Sequence, residues 1–334
     1  MLTPLLTRKC LKIMLAAALG ATAVADAAPV ISRLTPPSEL FSSGNPSPVI
    51  ARFLPGQRFD LQATVQPDAG KTITAFRFTV DGIDLTPAAG TTSSVTTGLV
   101  SNLPAGTAVV SQRTYSNLTP GLHILKVTAT QSDGQTATAT GNFEIVGITQ
   151  HGRLAKNIII LLGDGMGAAH RTAARIMLKG YAQGKAKGLL AMDTFPYTGM
   201  VMTASLNSIV TDSAPGMANY VNGNKAANNQ EGVLPDDTTD AFDNPRVEYL
   251  AEYLHRTQGK SLGLVTTADV FDATPAANAV HTANRGNGTG IVDQYLDDRN
   301  LTGLTVLTGS TAVIGLSVGP NRFRRRCSSG GAPV

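Results

Sequence analysis

Apolar and polar residues alternate along much of the first half of the chain. Arg58-Phe59-Asp60-Leu61-Gln62-Ala63-Thr64-Val65 and Ala75-Phe76-Arg77-Phe78-Thr79-Val80 follow the two-residue period of a half-buried strand, and Asp81-Gly82 supplies a turn. His123–Thr130 and Thr138–Ile145 repeat the pattern on either side of Asp133-Gly134, as a hairpin would. Short strands with frequent turn residues predict an antiparallel β-sandwich over residues 28–147.

The texture changes between Gly147 and Lys156. Beyond it, helical periods at Ala168–Lys179 and Arg246–Thr257 alternate with short apolar runs at Ile158–Leu162 and Leu262–Val265. That alternation predicts an α/β unit over residues 148–309, a mostly parallel sheet with flanking helices. Ligands of such sheets gather at the carboxyl ends of strands, where Gly163-Asp164-Gly165-Met166-Gly167 falls. In the first half, Tyr115-Ser116-Asn117-Leu118-Thr119-Pro120-Gly121-Leu122-His123 is similar to a tyrosine-corner entry to a late strand, and the domain resembles bacterial immunoglobulin-like modules. Its histidine, His123, stands alone at a strand entrance and reads as structural. The expected role of this half is a spacer or adhesion module that positions the second domain.

Composition narrows the classes. A chain of 334 residues with 42% hydrophobic content has room for two cores and is not globally disordered. Arg8, Lys9 and Lys12 precede the apolar run Ile13–Val24, and Ala25-Asp26-Ala27 offers a cleavage site, so residues 1–27 read as a signal peptide. The expectation is export to the periplasm or the medium, with no membrane association after removal. Cys10 leaves with that segment and Cys327 remains alone, so no intrachain disulfide is expected. The formal charge of +4 is misleading. Residues 1–27 hold +2 and residues 310–334, with Arg322, Arg324, Arg325 and Arg326, hold +4, which leaves −2 on the body. Nothing there points to nucleic acid.

Three segments carry candidate chemistry. Gly163, Gly165 and Ala168 match the spacing of a dinucleotide loop, but Asp164 would sit where a pyrophosphate belongs and no acidic residue between Asp164 and Asp193 could hold a ribose. A carboxylate held at a strand end by flexible glycines suits a cation better. Ser213, in Thr211-Asp212-Ser213-Ala214-Pro215-Gly216-Met217-Ala218, opens a helical stretch running to about Val221. It reads both as a helix cap and as a hydroxyl at a positive helix end, where an anion is favoured. Asp272 and Thr274 lie two apart before Pro275, a spacing that lets both reach one hard cation directly or through water. Arg285 follows with a guanidinium fork suited to phosphate oxygens. His281 falls in a helical stretch after Pro275 and reads as packed or as lying behind the ligands. His151, His170 and His255 have no partner at ligand spacing.

Taken in order, Gly163–Gly167, Thr211–Ala214 running to Gly223-Asn224-Lys225, and Asp272–Ala277 followed by His281 and Arg285 resemble the alkaline phosphatase family across about 130 residues. The resemblance implies an alkaline-phosphatase-like domain, here incomplete, acting on small-molecule phosphate esters. It implies that Ser213 becomes phosphorylated, that Asp164 bridges a zinc and the magnesium, and that Thr274 ligates Mg2+ while Asp272 holds its water shell. Arg285 would clamp the phosphate and Asp212 would orient Arg285. The family's remaining ligands, a glutamate for Mg2+ and the aspartates and histidines for two Zn2+, come after the arginine. Here His281 is the last histidine and no acidic residue follows Asp298. Impaired turnover is therefore expected. Residues 310–334 have no assignable period and read as an atypical basic tail, a truncated or frame-shifted end. The competing classes are a catalytically inactive binding or structural fragment and a related phosphodiesterase or sulfatase-type hydrolase. The oligomeric state is not legible.

Overall fold

The computed structural model describes residues 27–41, 51–85, 93–96, 98–149, 152 and 155–310. The expected cleavage region up to Asp26, His151, and the basic tail from Thr311 with Cys327 lie outside the described residues. Two sheets form the first half. One orders β1 (Val30–Thr35), β3 (Phe59–Gln66), β7 (Ala108–Tyr115) and β6 (Ser93–Thr96) as β1-β3-β7-β6, and all its pairings are antiparallel. The other orders β2 (Ala51–Phe53), β9 (Thr136–Ile145), β8 (Gly121–Gln131), β4 (Ile73–Val80) and β5 (Ile83–Asp84) as β2-β9-β8-β4-β5. Here β2 runs parallel to β9 and the rest are antiparallel.

The alternation in the sequence explains the core. Leu61, Ala63 and Val65 of β3 and Val127 and Ala129 of β8 point inward from facing sheets and are buried together. Phe53 stacks on Phe59 with centroids 3.6 Å apart, joining the two sheets. Each such aliphatic or aromatic side chain contributes about 1.5–3 kcal/mol on burial. His123 is buried with Nδ1 2.6 Å from Asp81 and Nε2 2.8 Å from the Thr119 carbonyl, a structural histidine fully engaged within this unit.

The second half carries α1 (Ala168–Lys179), the ribbon β10 (Tyr181–Ala182) with β11 (Lys185–Ala186), α2 (Ser213–Asn222), α3 (Leu250–Gln258), β12 (Leu262–Val265), α4 (Ala273–Ala276), α5 (Gly288–Asp297), α6 (Arg299–Thr302) and β13 (Leu304–Thr308). The molecule is α/β overall. β12 and β13 pair in parallel, and Leu264, Val270, Ile291, Tyr295 and Leu307 pack around them. None of the described helices is long and apolar enough to cross a membrane.

The strand predicted at Ile158–Leu162 does not form. A strand exists by pairing, and no ladder among the described residues includes this run; Ile159 is 82% and Leu161 86% exposed. The helix predicted at Arg246–Thr257 begins later, at Leu250, because Arg246–Glu248 is extended against β3. Asp60 N–H donates to the Arg246 carbonyl and Glu248 N–H to the Arg58 carbonyl, while Phe59 bridges Val247.

That pairing joins the two halves. Leu234 and Val247 enter the core between the two sheets, and Leu206 packs on it. Arg33 forks onto Asp237 with two contacts of 2.9 Å, and Arg113 donates to Asp60 and to the carbonyls of Asp243 and Asn244. The first half is therefore packed directly against its neighbour through a shared core and a shared bridge rather than held at a distance from it.

Candidate active site

Small residues bring the site elements together. Ala214 and Ala218 of α2 and Ala273 and Ala276 of α4 are fully buried, and without larger side chains the two helices approach closely. Each helix then presents its first turn to the same space.

Asp212, not Ser213, caps α2. Its carboxylate accepts from Ala214 N–H at 2.8 Å and Asn229 N–H at 2.7 Å. A carboxylate that takes the orphan amide leaves the next hydroxyl free, and Ser213 Oγ donates to Asp164 Oδ1 at 3.0 Å. Asp164 lies in a turn closed by Met166 N–H on the Gly163 carbonyl. Gly165 there has φ 64°, a left-handed conformation that a residue with Cβ resists. The other carboxylate oxygen, Asp164 Oδ2, accepts from Thr274 Oγ1 at 2.6 Å. Asp272 caps α4 through Ala273 N–H at 2.7 Å.

Arg285 completes the constellation. Its backbone N–H donates to the Asn229 carbonyl at 3.0 Å, its Nη2 lies 2.7 Å from Asp272 Oδ1, and its Nη1 lies 3.7 Å from Asp212 Oδ1. The six residues singled out in the sequence, Asp164, Asp212, Ser213, Asp272, Thr274 and Arg285, therefore share one site. The site holds three carboxylates and one guanidinium, so an incoming phosphate would meet net repulsion unless a cation joins it. The oxygen donors at Asp164, Thr274 and Asp272 suit Mg2+, which keeps several waters and takes one or two carboxylates. They do not suit zinc, which needs about four well-placed N, S or O donors. Among the described residues no group of three or more His, Cys, Asp or Glu side chains could hold a metal on its own.

His281 is not in a helix. It lies past α4, beside an isolated bridge between Glu231 and Thr282. Its Nδ1 is 2.8 Å from the Gly232 carbonyl, its Nε2 is 3.1 Å from Glu252, and its ring stacks on Tyr249. Burial alone would raise the Glu252 carboxyl, but the His281 charge and hydrogen bond and the Tyr249 N–H hold it below its ordinary value. Among the described residues His255 bonds to the Lys260 carbonyl and His170 to Gly167 N–H.

Two residues here carry no mark in the sequence that singles them out. Asn229 adopts φ 72° and ties the Asp212 carboxylate to the Arg285 backbone. Glu231 is fully buried, neither carboxylate oxygen has a hydrogen-bond partner among the described residues, and burial pushes its carboxyl up to about 9. Arg285 pulls the other way, and Asp272 and Asp212 push it further up. Gly232 next to Glu231 has φ 60°, and an added Cβ would collide with the Tyr249 hydroxyl and His281. Gly232→Ala is expected to destabilise the protein by roughly 3 kcal/mol, read as a lower midpoint in urea unfolding. An unchanged midpoint would mean that this layer repacks freely.

Residues 155–299 match the family model described as alkaline phosphatase. Tissue-nonspecific alkaline phosphatase of Gallus gallus is 41% identical over 136 residues, 40% of this chain and 26% of that protein. The cold-active alkaline phosphatase of the psychrophile Shewanella sp. shares 26% identity over 45% of this chain and 34% of that one, with a TM-score of 0.38. A TAB5 alkaline phosphatase mutant with Mg bound in its M3 site shares 28% identity over 38% of this chain and 33% of that one, with a TM-score of 0.31. The chain spans about a quarter of the length of the curated relatives it matches.

Proposed function

We propose, from the premise that residues 155–299 are an alkaline phosphatase segment, that the site hydrolyses phosphate monoesters through a phosphoserine at Ser213. The observation that carries the reading is the placement of the Ser213 hydroxyl on a carboxylate that also takes Thr274, one residue from the Asp212 that faces Arg285. Arg285 turns its fork to two phosphate oxygens, held in place by Asp272 and Asp212. Ser213 Oγ passes its proton to Asp164 Oδ1, on which it sits, as it attacks phosphorus, and the bond to the ester oxygen breaks as the Oγ–P bond forms. The departing alkoxide takes up that proton and leaves as the alcohol. A water then attacks the phosphoserine, the Oγ–P bond breaks, the water's proton restores the serine hydroxyl and phosphate leaves. The positive end of α2 favours the anionic oxygens in both steps.

Asp164 and Thr274 would hold Mg2+ directly and Asp272 through water, and the ion would supply the charge that lowers the serine pKa and offsets the three carboxylates. The oxygen donors here do not fit zinc, which needs about four well-placed ligands. Around this site, residues 1–27 would export the chain to the periplasm or medium, and residues 28–147 would be an immunoglobulin-like module. Because only oxygen donors meet at the site, turnover by this chain is expected to be weak, and an inert binding fragment is the second reading. Both are tested by incubating the chain with Mg2+ and a monoester carrying labelled phosphate, quenching in acid and mapping the peptides. Label is expected on Ser213 and none in Ser213→Ala. No label on the wild-type chain, or equal label on both proteins, would end the phosphoserine reading.

A further inference from the structure

Helix α2 carries Ser213 at one end and meets the two-sheet unit at the other. At 1.5 Å per residue its ten residues form a rod of about 15 Å, so whatever holds Asn222 fixes where the Ser213 hydroxyl stands. Two buried amides do this. Gln57, in the loop between β2 and β3, is 3% exposed, with Oε1 accepting from Leu54 N–H at 2.8 Å and Nε2 donating to the carbonyls of Asn222 at 3.1 Å and Glu248 at 2.8 Å. Every hydrogen-bonding atom of its carboxamide is engaged. Asn224, just past the helix, accepts from Arg52 N–H at 3.0 Å and donates to the Arg52 carbonyl at 2.7 Å. β2 is an edge strand, and this side chain occupies its open edge as a neighbouring strand would.

We infer that the two-sheet unit is a positioning element of the Ser213 site, and that Gln57 and Asn224 are the positioning residues through which it sets the axis of α2. The inference rests on the phosphatase reading for what it says about phosphate, but its structural half stands alone. Both orphan carbonyls and the strand edge would be left unpaired in the buried seam if these amides were removed. At the other end of the rod, Asp212 and Ser213 would shift against Asp164 and Arg285, and a displacement of about 1 Å costs on the order of 100-fold in well-aligned chemistry.

The test uses the full chain with Mg2+ and compares wild type, Gln57→Met, Asn224→Asp and Arg285→Ala. Gln57→Met keeps the length but not the donors, and Asn224→Asp keeps the acceptor for Arg52 N–H while losing the donor, so it is the milder variant. Amide hydrogen exchange is measured well below each variant's unfolding midpoint, and inorganic phosphate is titrated alongside. Both positioning variants are expected to raise exchange at 213–217 about tenfold and to weaken phosphate about tenfold, with exchange in β8 and β9 unchanged. Wild-type exchange at 213–217 in both variants, with only a lower midpoint, would overturn the inference and leave the unit as support for folding. If the wild-type chain binds no phosphate, or Arg285→Ala binds it equally, the phosphatase reading fails while the exchange result still decides the role of Gln57.

Discussion

Glu231→Gln is expected to abolish most of the loss of stability that the wild-type chain shows between pH 5 and pH 9. The sign follows from the direction of the shift. The buried carboxyl lies at about 9 in the folded protein against an ordinary glutamate value of 4.5, so the native state holds its proton across that interval while the unfolded state has released it. Stability therefore falls as pH rises from about 4.5, by up to roughly 1.4 kcal/mol per pH unit, and levels off above about 9. Summed over the interval, the loss is on the order of 6 kcal/mol. Glutamine has nothing to ionise and its profile should be flat by comparison. Asp236, Asp243 and Asp298 are also raised by burial, but they are common to both proteins and cancel in the difference. The measurement is urea unfolding of both proteins at pH 5, 7 and 9. Parallel profiles would show that Glu231 finds a partner, a water or an ion, which neutralises its burial.

Arg285→Ala is expected to weaken inorganic phosphate by roughly 100-fold, the loss of a forked, charge-assisted contact worth about 3 kcal/mol. Arg285→Lys should recover only part of it, because an ammonium cannot span two oxygens with fixed geometry. The side chain is also what separates Asp212 from Asp272, with contacts of 3.7 and 2.7 Å. Its removal leaves those two carboxylates facing each other, so the phosphate loss should deepen as ionic strength falls. Equal affinity in wild type and Arg285→Ala would place the anion somewhere else.

What is legible in the sequence is local. The two-residue period marks β3, β4, β8 and β9, and the 3.6-residue period marks α1 to both of its ends. The six site residues can be named because each sits beside a residue type with few uses, such as the glycines around Asp164 or Pro275 after Thr274. What the pattern misses depends on partners distant along the chain. Ile158–Leu162 has the composition of a buried strand, yet pairing decides whether a strand forms. Leu234 and Val247 lie within the α/β half by sequence and in the core of the two-sheet unit by structure. Ser213 looks like a cap because serine often is one, but Asp212 is the better acceptor and stands one residue earlier. Glu231 offers no pattern, since burial of a single carboxylate is a property of what surrounds it.

The most direct measurement is the anomalous difference density of crystals grown with Mn2+, substituting for Mg2+, and inorganic phosphate. The expected result is a cation bounded by Asp164 and Thr274, with the anion between the Ser213 hydroxyl and the Arg285 fork. A cation bound away from Asp164, or an anion that touches neither Ser213 nor Arg285, would contradict a shared site for cation, nucleophile and phosphate.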